Sequence, residues 1–227
     1  MFQLSITFIN KIMEFIEHLQ EYTLYERSVS RLVIISKDHS KELKTLGSFW
    51  VMSHGGSATL DNIKVQSSTW AAGGFKNIII EGPALVIENA GFELMERKCT
   101  SFTPGQLGQL SYIDGCSNSN LVDPMRNGDP CINYLFFPPG IDQTWHTHPS
   151  VRIGYVTSGR GFACIKDGDR EEELELTPGK MFILHRHTKH RFRTAGNNHM
   201  SLMVYHPDSE DGPRDENNPM KSRTYIR

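Results

Sequence analysis

The 227-residue chain contains no apolar run long enough to cross a bilayer as a helix. Runs such as 32–35 and 78–80 fall far below the roughly 18 residues a span needs. No basic stripe stands out and the formal net charge is −2, so nucleic acid is not an expected partner. No helix pair of a DNA-binding kind is apparent. None of Cys99, Cys116, Cys131 and Cys164 has the Cys-x-x-Cys spacing of a redox motif or zinc knuckle. Four scattered cysteines in a chain this long fit reduced thiols better than a disulfide framework. The N-terminal residues lack the basic, apolar and small-residue regions of an export signal. Lys11 sits inside a mildly apolar stretch, and Glu14, Glu17 and Glu21 follow at once. The expected compartment is therefore cytoplasmic, with no membrane partner.

What is present is an ordinary globular composition, 38% hydrophobic and 22% charged. Phe8, Ile12, Phe15, Ile16 and Leu19 recur at three- and four-residue spacing, which predicts a helix over 9–27. Strands are expected at 28–36, 48–53, 76–81, 84–89 and 91–98. Residues 100–130 are rich in glycine and proline and read as loop. The second half is dense with short β-like runs at 131–137, 153–157, 161–166, 172–176, 181–184, 191–193 and 201–205. Asp167-Gly168-Asp169 between two of them is a hairpin signal. The pattern predicts an all-β sandwich or barrel over 106–206. Residues 1–105 are expected to be an extension of helix and strand, part of the barrel or packed on it. A second, degenerate barrel half is the alternative. Residues 207–227 form a polar tail.

The chemistry concentrates at His146-Thr147-His148. On a strand, residues i and i+2 share a face, so two imidazoles project side by side and can chelate one metal ion. Pro138-Pro139-Gly140 precedes the pair, with five residues between Gly140 and His146. About thirty residues later come Pro178-Gly179, the run 180–184 and then His190. This arrangement resembles the two signature motifs of the cupin superfamily. The resemblance covers roughly residues 131–206. It implies a double-stranded β-helix, the jelly-roll barrel, with His146, His148 and His190 as ligands to one divalent metal ion. It also implies a tendency to pair, so a homodimer is expected. Thr194 stands where the family has an asparagine.

The sequence departs from the family at one ligand. The glutamate expected four residues after His148 is Arg152, which has no lone pair to donate. Strand parity from 146 to 152 directs Arg152 to the histidine face if Pro149 does not disturb it. There it would pair with an anionic substrate such as a carboxylate. The competing arrangement turns it outward, toward Glu173 or Glu175. Gln143, His185 and His187 are further candidates for a fourth contact, each read more simply as a loop or turn residue. Tyr155, Phe162, Cys164 and Met181 fall in strands that line the barrel. Arg152 and Tyr155 are the candidate catalytic residues, since a tyrosine near the metal would serve as a base. A three-histidine site leaves coordination positions open, as catalytic sites do. Iron(II) is the expected metal, with zinc, manganese or nickel as alternatives. The reading that follows is a dioxygenase acting on a small anionic molecule. A metal-dependent isomerase or lyase and a non-catalytic binding barrel are the rivals.

Overall fold

The structure, a computed structural model, describes residues 13–16, 21–25, 29–35, 40–44, 48–53, 56–65, 69–82, 84–90, 98–101, 104–124 and 129–207. Among the described residues the regular structure is strand, apart from one 3-10 turn at Ile113–Gly115. The strands form four antiparallel sheets. In the second half, seven strands lie in the order Met13–Ile16, Met181–Leu184, Arg152–Gly159, Met200–His206, Cys131–Phe137, Ser117–Val122 and Leu110–Ser111. A three-stranded sheet faces it: Arg170–Leu176, Gly161–Asp167 and Lys189–Thr194. The expected hairpin is present, with Asp167 paired to Arg170 across Gly168 at φ 59°. Glycine adopts that left-handed backbone without a Cβ penalty.

The first half builds the same kind of object. A six-stranded sheet runs Lys98–Ser101, Thr69–Gly73, Ser48–Ser53, Ala84–Ala90, Val29–Ile35 and Glu21–Tyr25. A four-stranded sheet runs Ser40–Lys44, Asn77–Glu81, Ser57–Leu60 and Ile63–Val65. Leu43, Val51, Leu60, Phe75, Ile78, Ile80 and Val86 form a core of their own. The described strands of the first hundred residues pair into two sheets around a buried cluster of their own. The helix expected over 9–27 is not seen where it can be judged: Met13–Ile16 and Glu21–Tyr25 are strands, and the rest lies outside the described residues. The reason is long-range. Met13–Ile16 completes the edge of a sheet against Met181–Leu184, a pairing that local periodicity cannot anticipate. Residues 91–97 and 208–227 also lie outside the described residues.

Period-two alternation in the two large sheets feeds two cores at once. Ala84 and Val86 enter the first-half core, whereas Leu85 and Ile87 enter a cluster with Ile132, Tyr134, Ile153, Tyr155, Met203 and Tyr205. The large sheets thus pack face to face. Asn89 crosses between them and donates to the Tyr205 hydroxyl at 3.1 Å. On the other face of the seven-stranded sheet, Leu135, Phe137, Val156, Leu202 and Val204 fill the second barrel with Phe182 and Phe192.

Candidate metal centre

The segment between Cys131–Phe137 and Arg152–Gly159 carries His146 and His148, and it is bolted onto the strand Lys189–Thr194. Backbone N–H groups of His146 and His190 donate to each other's carbonyls at 3.0 and 2.9 Å. Further along, Gln143 N–H donates to Phe192 carbonyl at 3.0 Å, and Phe192 N–H returns to Gln143 Oε1 at 3.2 Å. Thr194, at the family's asparagine position, accepts from Ile141 N–H at 3.0 Å and donates to Pro138 carbonyl at 3.1 Å. From the far side, the Asp114 carboxylate accepts from Thr144 N–H and hydroxyl at 2.7 and 3.0 Å. The loop therefore behaves as a continuation of the small sheet.

The three imidazoles converge. Ring centroids lie 4.4 Å apart for His146–His190, 4.9 Å for His148–His190 and 5.1 Å for His146–His148. One ring nitrogen from each falls within 4.8 Å of the others. His146 Nδ1 meets Thr144 carbonyl at 2.9 Å and His190 Nδ1 meets Thr188 carbonyl at 2.8 Å. A carbonyl accepts only from N–H, so these contacts fix the tautomer and leave each Nε2 lone pair free. His190 Nε2 and His148 Nδ1 are buried without a hydrogen-bond partner among the described residues. Burial, reinforced by His146 and Arg152, pushes His190 down to about 3. His148 is held well below its ordinary value by burial and then by Arg152, and burial also lowers His146. Neutral imidazole is the form that binds a metal. Three such converging donors, two with buried unsatisfied nitrogens, fit a divalent transition metal.

The centre opens into a small pocket that is open to solvent on one side. Its walls are mostly apolar, from Leu135, Phe137, Phe182, Leu184, Phe192 and Val204, with Tyr112, Arg152 and His206 adding polar groups. Arg152 faces this cavity and is buried. Its Nη1 donates to Ser150 carbonyl, Ser150 Oγ and Val151 carbonyl at 3.1, 2.6 and 3.0 Å. Glu173 and Glu175, its rival partners, are engaged by Arg193 and Arg160 on the small sheet.

Tyr155 is not brought to the site. It lies on the opposite face of its strand, fully buried between the two large sheets with Met181. Burial pushes its hydroxyl up, which disfavours a base. Phe162 sits beneath the Arg193 guanidinium, 4.3 Å from ring centroid to carbon. The Cys164 thiol lies 3.8 Å from Glu173. None of these four barrel-strand candidates lines the cavity. His187 is exposed on a turn at φ 59°. His185 and Gln143 stand outside the three-nitrogen cluster, and Gln143 is used in pinning the loop. Two cavity residues escaped sequence reading. His206 has inward parity with Met200, Leu202 and Val204, a signal the sequence did hold. Tyr112 comes from the glycine-rich region and has none. Burial pushes Tyr112 up to about 12 despite the nearby Arg152.

Comparison with known proteins agrees with this geometry. Residues 133–206 match the family described as Cupin domain. No curated protein matches the sequence. Among solved structures, a glyoxylate-induced protein from Pseudomonas aeruginosa, itself described as putative, aligns over 91% of this chain and 84% of its own, at 16% identity and TM-score 0.60. A cupin 2 conserved barrel domain protein from Leptotrichia buccalis aligns over 83% and 89%, at 14% identity and TM-score 0.52. Oxalate decarboxylase from Bacillus subtilis aligns over 90% and 78%, at 10% identity and TM-score 0.51. These likenesses reach across both barrels and concern the fold.

Proposed function

Because residues 133–206 of this chain match the Cupin domain family, we propose that the protein is a mononuclear metal enzyme acting on a small carboxylate-bearing molecule, as an iron-dependent dioxygenase of three-histidine type. The carrying observation is the convergence of three neutral imidazoles on a cavity whose family carboxylate position is held by Arg152. His146, His148 and His190 would hold iron(II), which would supply a redox centre for chemistry with dioxygen. The chain's own groups do the rest. Arg152 offers a buried cation to an anionic substrate, where charge-assisted hydrogen bonds are strong. Ser150 and Val151 hold that guanidinium in place. Phe137, Phe182 and Phe192 keep the site apolar, which strengthens every charge interaction within it. Tyr112, protonated at neutral pH, serves as a hydrogen-bond donor rather than a base.

The test is metal analysis of protein purified without added metal, followed by oxygen consumption with small carboxylates on the iron-loaded form. Stoichiometric iron and carboxylate-dependent oxygen uptake are expected. Metal without oxygen uptake points to a Lewis-acid isomerase or lyase, or to a binding barrel. Absence of stoichiometric metal, with His146→Ala unchanged from wild type, removes the metal-enzyme reading altogether.

A further inference from the structure

The strand Met200–His206 ends inside the cavity on an imidazole that does not belong to the three-nitrogen cluster. His206 is 6% exposed. Its Nε2 is buried and has no hydrogen-bond partner among the described residues. A buried polar nitrogen of this kind carries a desolvation penalty that only a partner relieves. Sheet register supplies its neighbours. Ile153 pairs with Tyr205 and Cys131 with His206. One antiparallel step from the first pair sets Arg152 beside His206 on the cavity face. The metal-binding cluster belongs to the opposite side of the barrel, on the small sheet and the loop bolted to it. Two hydrogen-bonding groups, one cationic, therefore stand together on the wall across from three metal ligands.

We propose that His206 is a substrate-binding residue, and that its Nε2 and the Arg152 guanidinium together hold the carboxylate of a small ligand whose other end lies toward His146, His148 and His190. This rests on the reading that the cavity takes an anionic substrate at a metal centre. A carboxylate has two oxygens and about four acceptor directions. The guanidinium takes one oxygen, and a neutral imidazole donates its Nε2–H to the other. The mostly apolar lining favours a remainder with little polarity of its own. A neutral amide of the same shape lacks the charge that Arg152 answers.

The experiment is calorimetric titration of oxalate, acetate, acetamide and inorganic phosphate into the full-length zinc-loaded protein, alongside metal analysis. Wild type is expected to bind the carboxylates, to bind phosphate less well and to ignore acetamide. His206→Ala is expected to lower carboxylate affinity about tenfold or more, as for a lost hydrogen bond to a charged group, with metal content unchanged. His206→Gln, which restores an N–H donor, is expected to recover part of that loss, which a merely structural role would not produce. In wild type, carboxylate is also expected to move the His206 ring-nitrogen signals in a long-range proton–nitrogen correlation spectrum, a readout that needs no variant. Unchanged affinity in His206→Ala, loss of metal in that variant, or unmoved ring signals would overturn the proposal. The two readings separate cleanly. Wild type without stoichiometric metal but with His206-dependent carboxylate binding defeats the metal reading and keeps this one. Stoichiometric metal with carboxylate binding indifferent to His206 does the reverse.

Discussion

Arg152 places a buried cation beside three candidate metal ligands, at the position where the resembled motif has a glutamate. Replacing it separates the two roles. Arg152→Gln is expected to retain metal, because no ligand is touched, while small-carboxylate affinity falls by about ten- to a hundredfold, as for a charged hydrogen bond lost. Calorimetry together with metal analysis reads both quantities. The neutral histidines set a pH limit as well. Their folded values are depressed, His190 to about 3, against an ordinary value near 6.5. The unfolded chain therefore binds protons that the folded chain refuses. Stability of the metal-free protein is fully present above about pH 6.5 and is lost as pH falls toward 3. Thermal melts of the chelated protein between pH 7 and 4 are expected to show a steadily falling midpoint. A third residue governs the cavity by having no side chain. A Cβ at Gly154 would sit 2.0 Å from Phe182 Cζ, so Gly154→Ala is expected to destabilise by about 1–3 kcal/mol through overpacking. Denaturant titration measures it. At this scale the sequence was legible wherever chemistry was local. His146 and His148 declare themselves by spacing, His190 by the turn before it, and Arg152 by parity with them. Tyr155 misleads because residue type suggests a base where parity does not: three residues beyond Arg152, it falls on the other face of the strand, against the first half. His206 is hidden because its partnership with Arg152 depends on register between strands some fifty positions apart.

Among elements, the loop 138–150 matters most, since two of the three candidate ligands, His146 and His148, reside on it and not on a regular strand. Asp114 anchors it through Thr144, whose carbonyl in turn orients His146. Asp114→Ala is expected to weaken metal binding about ten- to a hundredfold without abolishing it, as loss of an outer support does. Competition with a chelator reads the change. The strand Met13–Ile16 is the other decisive element. It runs beside Phe182 and Leu184 at the edge that leads into the His190 turn. In an antiparallel ladder neighbouring residues alternate in bonding direction, so Glu14→Pro together with Phe15→Pro removes a donor whichever phase applies. A lowered melting temperature is expected. The hairpin at Asp167-Gly168-Asp169 was plain in the sequence because turn chemistry is written in adjacent residues. The edge strand was not, because its partner lies about 170 positions away and its short apolar pattern suits a helix equally well.

Among the described residues the two large sheets share a buried, mostly apolar seam, and the seam is why the first hundred residues resisted sequence reading. Strands apolar on both faces, such as Ala84–Ala90, lose the alternation that marks a half-exposed sheet. A fragment holding only residues 104–207 would leave Ile153, Tyr155, Met203 and Tyr205 without their cover. It is expected to self-associate or precipitate, which size-exclusion chromatography with light scattering will show.

That seam also divides the cavity into two materials. The wall bearing Arg152 and His206 is backed by side chains on both surfaces, like a plate clamped between two blocks. The opposite wall is the strand Lys189–Thr194 together with the loop hydrogen-bonded along it. The clamped plate is then the fixed gauge against which a ligand reaching across from the histidines is measured.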